Sequence, residues 1–391
     1  MDKEDTMRRV IKTWIGISLL AGGILFGCVG GGEYAMANEG AQRPLVLRTM
    51  GGMTFGGTVE RSSDGETFHG DHGYAQYFIP EKAKNYPLVF WHGIGQSGAC
   101  WETTPDGREG FMQMLPRRGW AVYIMDQPRR GRAGRTSAPN GEDLSLTVHR
   151  ESETWNAFRL GLWSPPQRPK FFDALAFPKE ENSINRFMRW QTPDTGEQPR
   201  TAEHRRFLAH TVGQLFQDIG GGILVTHSRS GEYGWETVMA APDDIKGVVA
   251  FEPAAFPFPE GERPAEIPSG HPLVEQFQQP IMVPQAEFDK LTKIPILIVY
   301  GDNIAKEQST LFNVEVWRCA SLRAVQFVEA VNRHCGDARL VRLPDMGIYG
   351  NTHAPFADLN NEQIADIMTA YLHEKGLDSD DAPHRGPSFI R

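Results

Sequence analysis

A serine becomes a nucleophile when its hydroxyl stands clear of the backbone and a base can reach it. The segment Gly221-Gly222-Ile223-Leu224-Val225-Thr226-His227-Ser228-Arg229-Ser230-Gly231 has the residue types for that. An apolar, β-branched run ends at Ser228, with small residues two positions away on each side. If a strand turns there sharply into a helix, the serine is held in a strained conformation. The positions two before and two after it then meet across the turn and must be small. Thr226 and Ser230 stand where glycines are usual, so the same run also reads as a buried strand followed by a helix N-cap.

Three further segments supply what such a serine needs. Leu88-Val89-Phe90-Trp91-His92-Gly93-Ile94-Gly95 is an apolar strand running into a His-Gly-x-Gly loop. Glycines there let a backbone N–H approach a developing oxyanion, and Ile94 carries the natural donor amide. The amide of Arg229, next to the serine, is the second donor. Late in the chain, Leu340-Val341-Arg342-Leu343-Pro344 reads as a strand, and Gly350-Asn351-Thr352-His353 follows it just before a final amphipathic helix. His353 is the candidate general base. Two carboxylates compete to orient it by accepting its Nδ1–H: Glu252, closing Gly247-Val248-Val249-Ala250-Phe251, and Asp302, closing Ile296-Leu297-Ile298-Val299-Tyr300-Gly301. An acid at the end of a buried strand is costly unless paired. Asp302 has an ordinary explanation as a turn residue after glycine, whereas glutamate is a poor turn former, which favours Glu252.

These groups must be positioned by a scaffold, and the chain alternates in the required way. Strands are expected at 88–91, 121–125, 223–226, 248–251, 296–300 and 338–343, with an antiparallel hairpin before them over 45–59 and 74–80. Helices are expected after Asp106, before Gly220, after Ser228, over 314–333 and over 360–375. Alternation of this kind predicts an α/β protein with a mostly parallel sheet covered on both faces. Residues 128–200 interrupt it with Trp155, Phe158, Trp163, Phe171, Phe172, Phe177, Phe187 and Trp190, a composition that fits a cap inserted over the site. The polar tail 377–391 is expected to be disordered.

The chain has 391 residues and a formal net charge of −9, which argues against a nucleic-acid partner. Lys3, Arg8, Arg9 and Lys12 precede an apolar stretch from Trp14 to Val29, followed by Ala35-Met36-Ala37. That is the pattern of a signal peptide over 1–37, leaving 38–391 as one exported domain, periplasmic or secreted. Leu25-Phe26-Gly27-Cys28 also resembles a lipoprotein box, so a membrane is a partner only if Cys28 is lipidated. Cys100, Cys319 and Cys335 remain after cleavage; they cannot all pair and have no metal-ligand spacing.

Oxyanion loop, serine, acid and histidine follow one another in the order of the α/β-hydrolases. More narrowly, the chain resembles a subgroup of exported bacterial serine esterases. The likeness rests on His92-Gly93, Trp101-Glu102-Thr103-Thr104-Pro105-Asp106-Gly107-Arg108, Asp126-Gln127-Pro128, Thr226-His227-Ser228-x-Ser230-Gly231, Phe251-Glu252-Pro253 and Gly350-Asn351-Thr352-His353. The resemblance implies an α/β-hydrolase fold with an inserted cap, a glutamate triad acid at Glu252, and oxyanion amides at Ile94 and Arg229. Arg229 departs from it, since glutamine is commoner after such a serine. The expected activity is carboxylic ester hydrolysis through an acyl-enzyme, with no cofactor and no metal. The expected partner is a small-molecule ester or lactone, and a homodimer is the candidate assembly. A lactonase would use the same groups but release one product molecule where an open ester gives two. A non-catalytic binding protein on a hydrolase scaffold is the rival of another class.

Overall fold

Unbroken apolar runs such as Leu88-Val89-Phe90-Trp91 and Ile223-Leu224-Val225 explain why the parallel strands are buried on both faces. The structure, a computed structural model, describes residues 44–134, 150–192 and 198–388. Its main sheet contains β1 (Leu47–Arg61), β2 (Thr67–Pro80), β3 (Leu88–Trp91), β4 (Val122–Asp126), β5 (Gly222–His227), β6 (Ile245–Phe251), β7 (Pro295–Tyr300) and β8 (Asp337–Arg342). They lie in the order β1-β2-β4-β3-β5-β6-β7-β8. Strands β3 to β8 run parallel, while β2 pairs antiparallel with both β1 and β4. Val89, Trp91, Leu224, Val248, Ala250 and Ile298 face one apolar cluster. Their neighbours Leu88, Phe90, Val225, Val249, Leu297 and Val299 face the other. Each such side chain, fully buried, contributes about 1.5–3 kcal/mol relative to exposure.

The helices are α1 (Phe111–Arg117), α2 (Glu151–Ala157), α3 (Glu181–Arg189), α4 (Ala202–Ile219), α5 (Arg229–Ala240), α6 (Pro272–Phe277), α7 (Gln285–Leu291), α8 (Phe312–Arg333) and α9 (Asn361–Glu374). Leu208, Val212 and Phe216 of α4, Trp235 and Val238 of α5, and Phe327 of α8 cover the first face. Phe111 and Leu115 of α1 and Ile364, Met368 and Leu372 of α9 cover the second. Helix α4 starts where the Thr201 hydroxyl accepts the His204 amide and stops at Gly220 in the left-handed region.

The expected strands and helices are present with boundary differences of a few residues. The described part of the insertion between β4 and α4 carries α2, α3 and a small antiparallel pair, Gly161–Leu162 with Lys170–Phe171. Trp155, Phe158, Phe177 and Phe187 are buried in the same cluster as the second face of the sheet. The aromatic run is therefore largely core.

The segment after Gly376, expected to lack order, lies along the body over its described residues. The Asn85 amide donates to Ser379 O, that of His384 to Lys84 O and that of Ser388 to Asp218 O, while the buried His384 ring meets the Tyr123 hydroxyl at 2.8 Å. Backbone partners of this kind outweigh the polar composition on which the expectation rested. Cys100, Cys319 and Cys335 are unpaired thiols. The leader over 1–37 and Cys28 lie outside the described residues. No helix among those residues is long and apolar enough to cross a membrane.

Candidate active site

Because β3 to β8 are parallel, the loops leaving their C-terminal ends gather at one edge of the sheet, where open α/β sheets carry their sites. Ser228 occupies the single residue between β5 and α5, at φ 56° and ψ −117°. A non-glycine residue there is strained, and the surrounding structure must hold it. It does so with hydrogen bonds. The Ser228 amide donates to Phe251 O at 2.9 Å, and the Gly231 amide donates to Ser228 O at 3.0 Å. Ser230 does more than stay small: its hydroxyl accepts the His227 amide at 2.9 Å and lies 3.0 Å from Trp91 O, tying the turn to β3. Gly231 has its own reason, since a Cβ there would lie 2.5 Å from Cβ of Pro253.

The glycine loop after β3 packs directly on this turn. A Cβ on Gly93 would fall 3.2 Å from Ser228 Cβ and 2.9 Å from His227 Nδ1, so only glycine lets the loop come this close. The Gly93 amide donates to Gln96 Oε1 at 3.2 Å, and Ile94 is the next residue of this loop. Arg229 opens α5, and the first amides of a helix have no intrahelical partner. The positive end of the α5 dipole thus lies beside Ser228.

His353 is brought to Glu252. Its Nδ1 lies 2.6 Å from Glu252 Oε2, with both side chains buried. Asp302 is not paired with it. Its Oδ1 accepts the Asn303 amide at 2.6 Å and its Oδ2 the Gly350 amide at 2.7 Å, which pins the loop carrying His353. Asp358 holds the other side of that loop, accepting from the Thr352 amide and hydroxyl and from Asn351 Nδ2.

Glu252 itself sits at φ 52°. Burial alone would raise its pKa, but the charge of Arg159 and the hydrogen bond from His353 overcome this and hold it at about 2. Burial lowers the pKa of His353, against the opposing pull of Glu252. The pair is therefore a carboxylate and a neutral imidazole near neutral pH. With Nδ1 engaged, Nε2 is the nitrogen that can accept a proton.

Several residues here have no signal in the sequence. Arg159, from the inserted segment, donates through Nη1 and Nη2 to both Glu252 oxygens at 2.7 and 2.5 Å, and through Nε to Asp302 O at 2.7 Å. The Gly301 amide is a further donor to Glu252 Oε1. The Trp317 ring lies 3.9 Å from that of His353, centroid to centroid. His227 is fully buried; its Nε2 is 2.9 Å from His353 O, and burial keeps it neutral. Periodicity could not single these out, since their partners lie far beyond the span of one helix or strand, 93 residues away for Arg159 and Glu252 and 49 for Gly301 and Glu252. Among the described residues, no group of three His, Cys, Asp or Glu side chains could hold a metal ion.

Known proteins with the same chain trace narrow the reading. A structure described as a novel bacterial esterase superposes with a TM-score of 0.67 and 27% sequence identity, covering 85% of this chain and 98% of its own. The chain is an esterase and lipase relative with an α/β-hydrolase fold. The probable secreted lipase phiG of a fungal species is 28% identical over 339 residues, 77% of this chain and 86% of that protein. No protein-family profile matches. Within this fold, β5 leads to Ser228 and the loop after β8 to His353.

Proposed function

We propose that the chain is an exported serine hydrolase that cleaves carboxylic esters through an acyl-enzyme intermediate. The observation that carries the proposal is the combination of a strained Ser228 against the Gly93 loop and a buried His353 held by an ionised Glu252. Ser228 Oγ attacks the ester carbonyl carbon while His353 Nε2 takes its proton. The amides of Ile94 and Arg229 hold the tetrahedral oxyanion. The intermediate collapses, the C–O bond to the alcohol breaks, and the imidazolium returns the proton to the leaving oxygen. Water then repeats the sequence on the acyl-enzyme and frees Ser228. Glu252 fixes the Nδ1–H tautomer and stabilises the imidazolium without itself taking the proton. Arg159 is a positioning residue that keeps Glu252 ionised. Export is supported by the signal-peptide pattern over 1–37 and by the printed name of the fungal relative.

Ser228→Ala should lower kcat on an activated ester by about 10⁶-fold if serine and histidine act as a unit. It should also abolish labelling by a fluorophosphonate. Retention of most activity in the folded variant would exclude Ser228 as the nucleophile.

A further inference from the structure

Arg229 is the point at which the chain departs from the glutamine usual after such a serine, and its guanidinium is only partly used by the fold. Its side chain is only 3% exposed. Its Nε donates to the Tyr233 hydroxyl at 2.8 Å. Its Nη1 lies 3.3 Å from Glu232 Oε2, outside hydrogen-bond geometry, and neither Nη1 nor Nη2 has a hydrogen-bond partner among the described residues. A guanidinium carries five N–H donors, and leaving several unmet in the interior is expensive. Glu232 is shared, since its other oxygen is 3.3 Å from Arg205 Nη1, so one carboxylate faces two guanidinium groups.

The surroundings repeat the imbalance. Among the described residues, Arg205 Nε and His204 Nε2 are likewise buried nitrogens without a hydrogen-bond partner. His204 packs its ring 6.0 Å from Tyr233, and Tyr233 donates onward to Gln198 Oε1 at 3.1 Å. Burial, then the charges of Arg129, Arg229 and Arg130, push His204 down to about 4, so it is neutral at ordinary pH. Loss of water, then the charge of Arg229, lowers Arg200 as well. Arginines from the end of β4, the start of α4 and the start of α5 thus converge on one spot. The unmet atoms of Arg229 and Arg205 are N–H donors, which an anionic acceptor would satisfy.

That spot adjoins the nucleophile, since consecutive Cα atoms are about 3.8 Å apart. Ser228 is itself only 6% exposed, so the nucleophile candidate and the Arg229 side chain are both enclosed. Two terminal N–H groups on a planar fork match the geometry of a carboxylate.

We propose that the Arg229 guanidinium, supported by Arg205 and His204, is a carboxylate-binding subsite, and that the substrate is an ester bearing a second, ionised carboxyl group. This rests on the reading of Ser228 as an ester-cleaving nucleophile. The carboxylate can belong to the acyl part or to the alcohol part of the ester; both place a fixed negative charge within reach of Arg229.

The test compares mono-4-nitrophenyl glutarate with its neutral methyl ester, and 3-carboxyphenyl acetate with phenyl acetate, on wild type, Arg229→Gln and Arg229→Lys. The quantity read is the ratio of kcat/KM for the charged ester to that for the neutral one, so changes in overall activity cancel. Wild type should favour the charged member of at least one pair, which tells acyl from alcohol. In Arg229→Gln that ratio should fall about 30-fold or more, as when one partner of a buried charge pair is removed. Arg229→Lys should retain part of it. Independently of turnover, glutarate should raise the thermal midpoint of wild type, 1,5-pentanediol should not, and Arg229→Gln should lose the glutarate effect. Equal ratios in wild type and Arg229→Gln, or glutarate binding untouched by the substitution, would overturn the subsite. Activity on neutral esters that depends on Ser228, with no charge preference and no glutarate binding, removes the subsite and leaves the esterase reading. Arg229-dependent glutarate binding in a protein that hydrolyses none of these esters does the reverse.

Discussion

Two carboxylates end adjacent strands of one sheet, and they do opposite things. Glu252 follows β6 in a strained conformation, fully buried, and meets an imidazole, a guanidinium and one backbone amide. Asp302 follows β7 and has both oxygens taken by backbone amides, one its own neighbour and one from the loop of His353. An acid whose lone pairs are filled by main-chain N–H groups is a clip for a loop. An acid that meets a titratable ring sets that ring's tautomer and charge. Position at a strand end therefore does not decide the role; the donors that arrive from elsewhere do.

The largest expected effect comes from exchanging charge for an amide at each position. Glu252→Gln should cost about 10⁴-fold in kcat, the scale seen when a triad acid becomes its amide. Asp302→Asn should cost less than about tenfold, because its oxygens hold a loop and touch no reacting group. Circular dichroism on both variants separates misfolding from chemistry. A more crippled Asp302→Asn would exchange the two roles.

Next in size is the removal of Arg159. Arg159→Gln leaves a buried carboxylate short of its strongest partner and should destabilise the fold by about 3–5 kcal/mol in chemical denaturation. It should also move the acid limb of kcat/KM upward in pH, because the Arg159 charge now holds the His353 proton off. A destabilised variant with an unmoved pH limb would make Arg159 a packing residue with no bearing on the base.

The smaller effects are in the pH profiles of the wild type. His353 lies below its usual 6.5 because it is buried, so its base form persists to lower pH and the midpoint of the acid limb should fall below 6.5. Glu252 is depressed from 4.5 to about 2. Its contribution to stability is present above pH 4.5 and lost as pH falls toward 2. Denaturant midpoints measured across that window should decline in wild type and decline less in Glu252→Gln. Parallel curves would place the acid sensitivity elsewhere.

The strand runs, their order and the glycine loop were legible before any coordinates because they rest on local physics. Ile223-Leu224-Val225 and Ile296-Leu297-Ile298 are strands wherever they are buried. A strand that ends at a serine between small residues is able to turn sharply at that serine. The alternation of strands and helices then leaves few topologies, since parallel strands need covered crossovers.

What the sequence left open was the identity of partners across the molecule. Glu252 and Asp302 were both candidates for His353, and turn chemistry only weighted the choice. The packing of the loop 350–353 between Glu252 and Asp358 brings Nδ1 to one acid and the Gly350 amide to the other. Arg159 reaches Glu252 across 93 residues of chain, from an insertion with no periodic pattern. The unmet Nη1 and Nη2 of Arg229 became visible only once the described residues around it had been placed. Backbone preference and hydrophobic period act over a few residues and are encoded there. Charge pairing and desolvation act through space, so the tertiary structure alone decides which groups of this chain are satisfied and which still lack a partner.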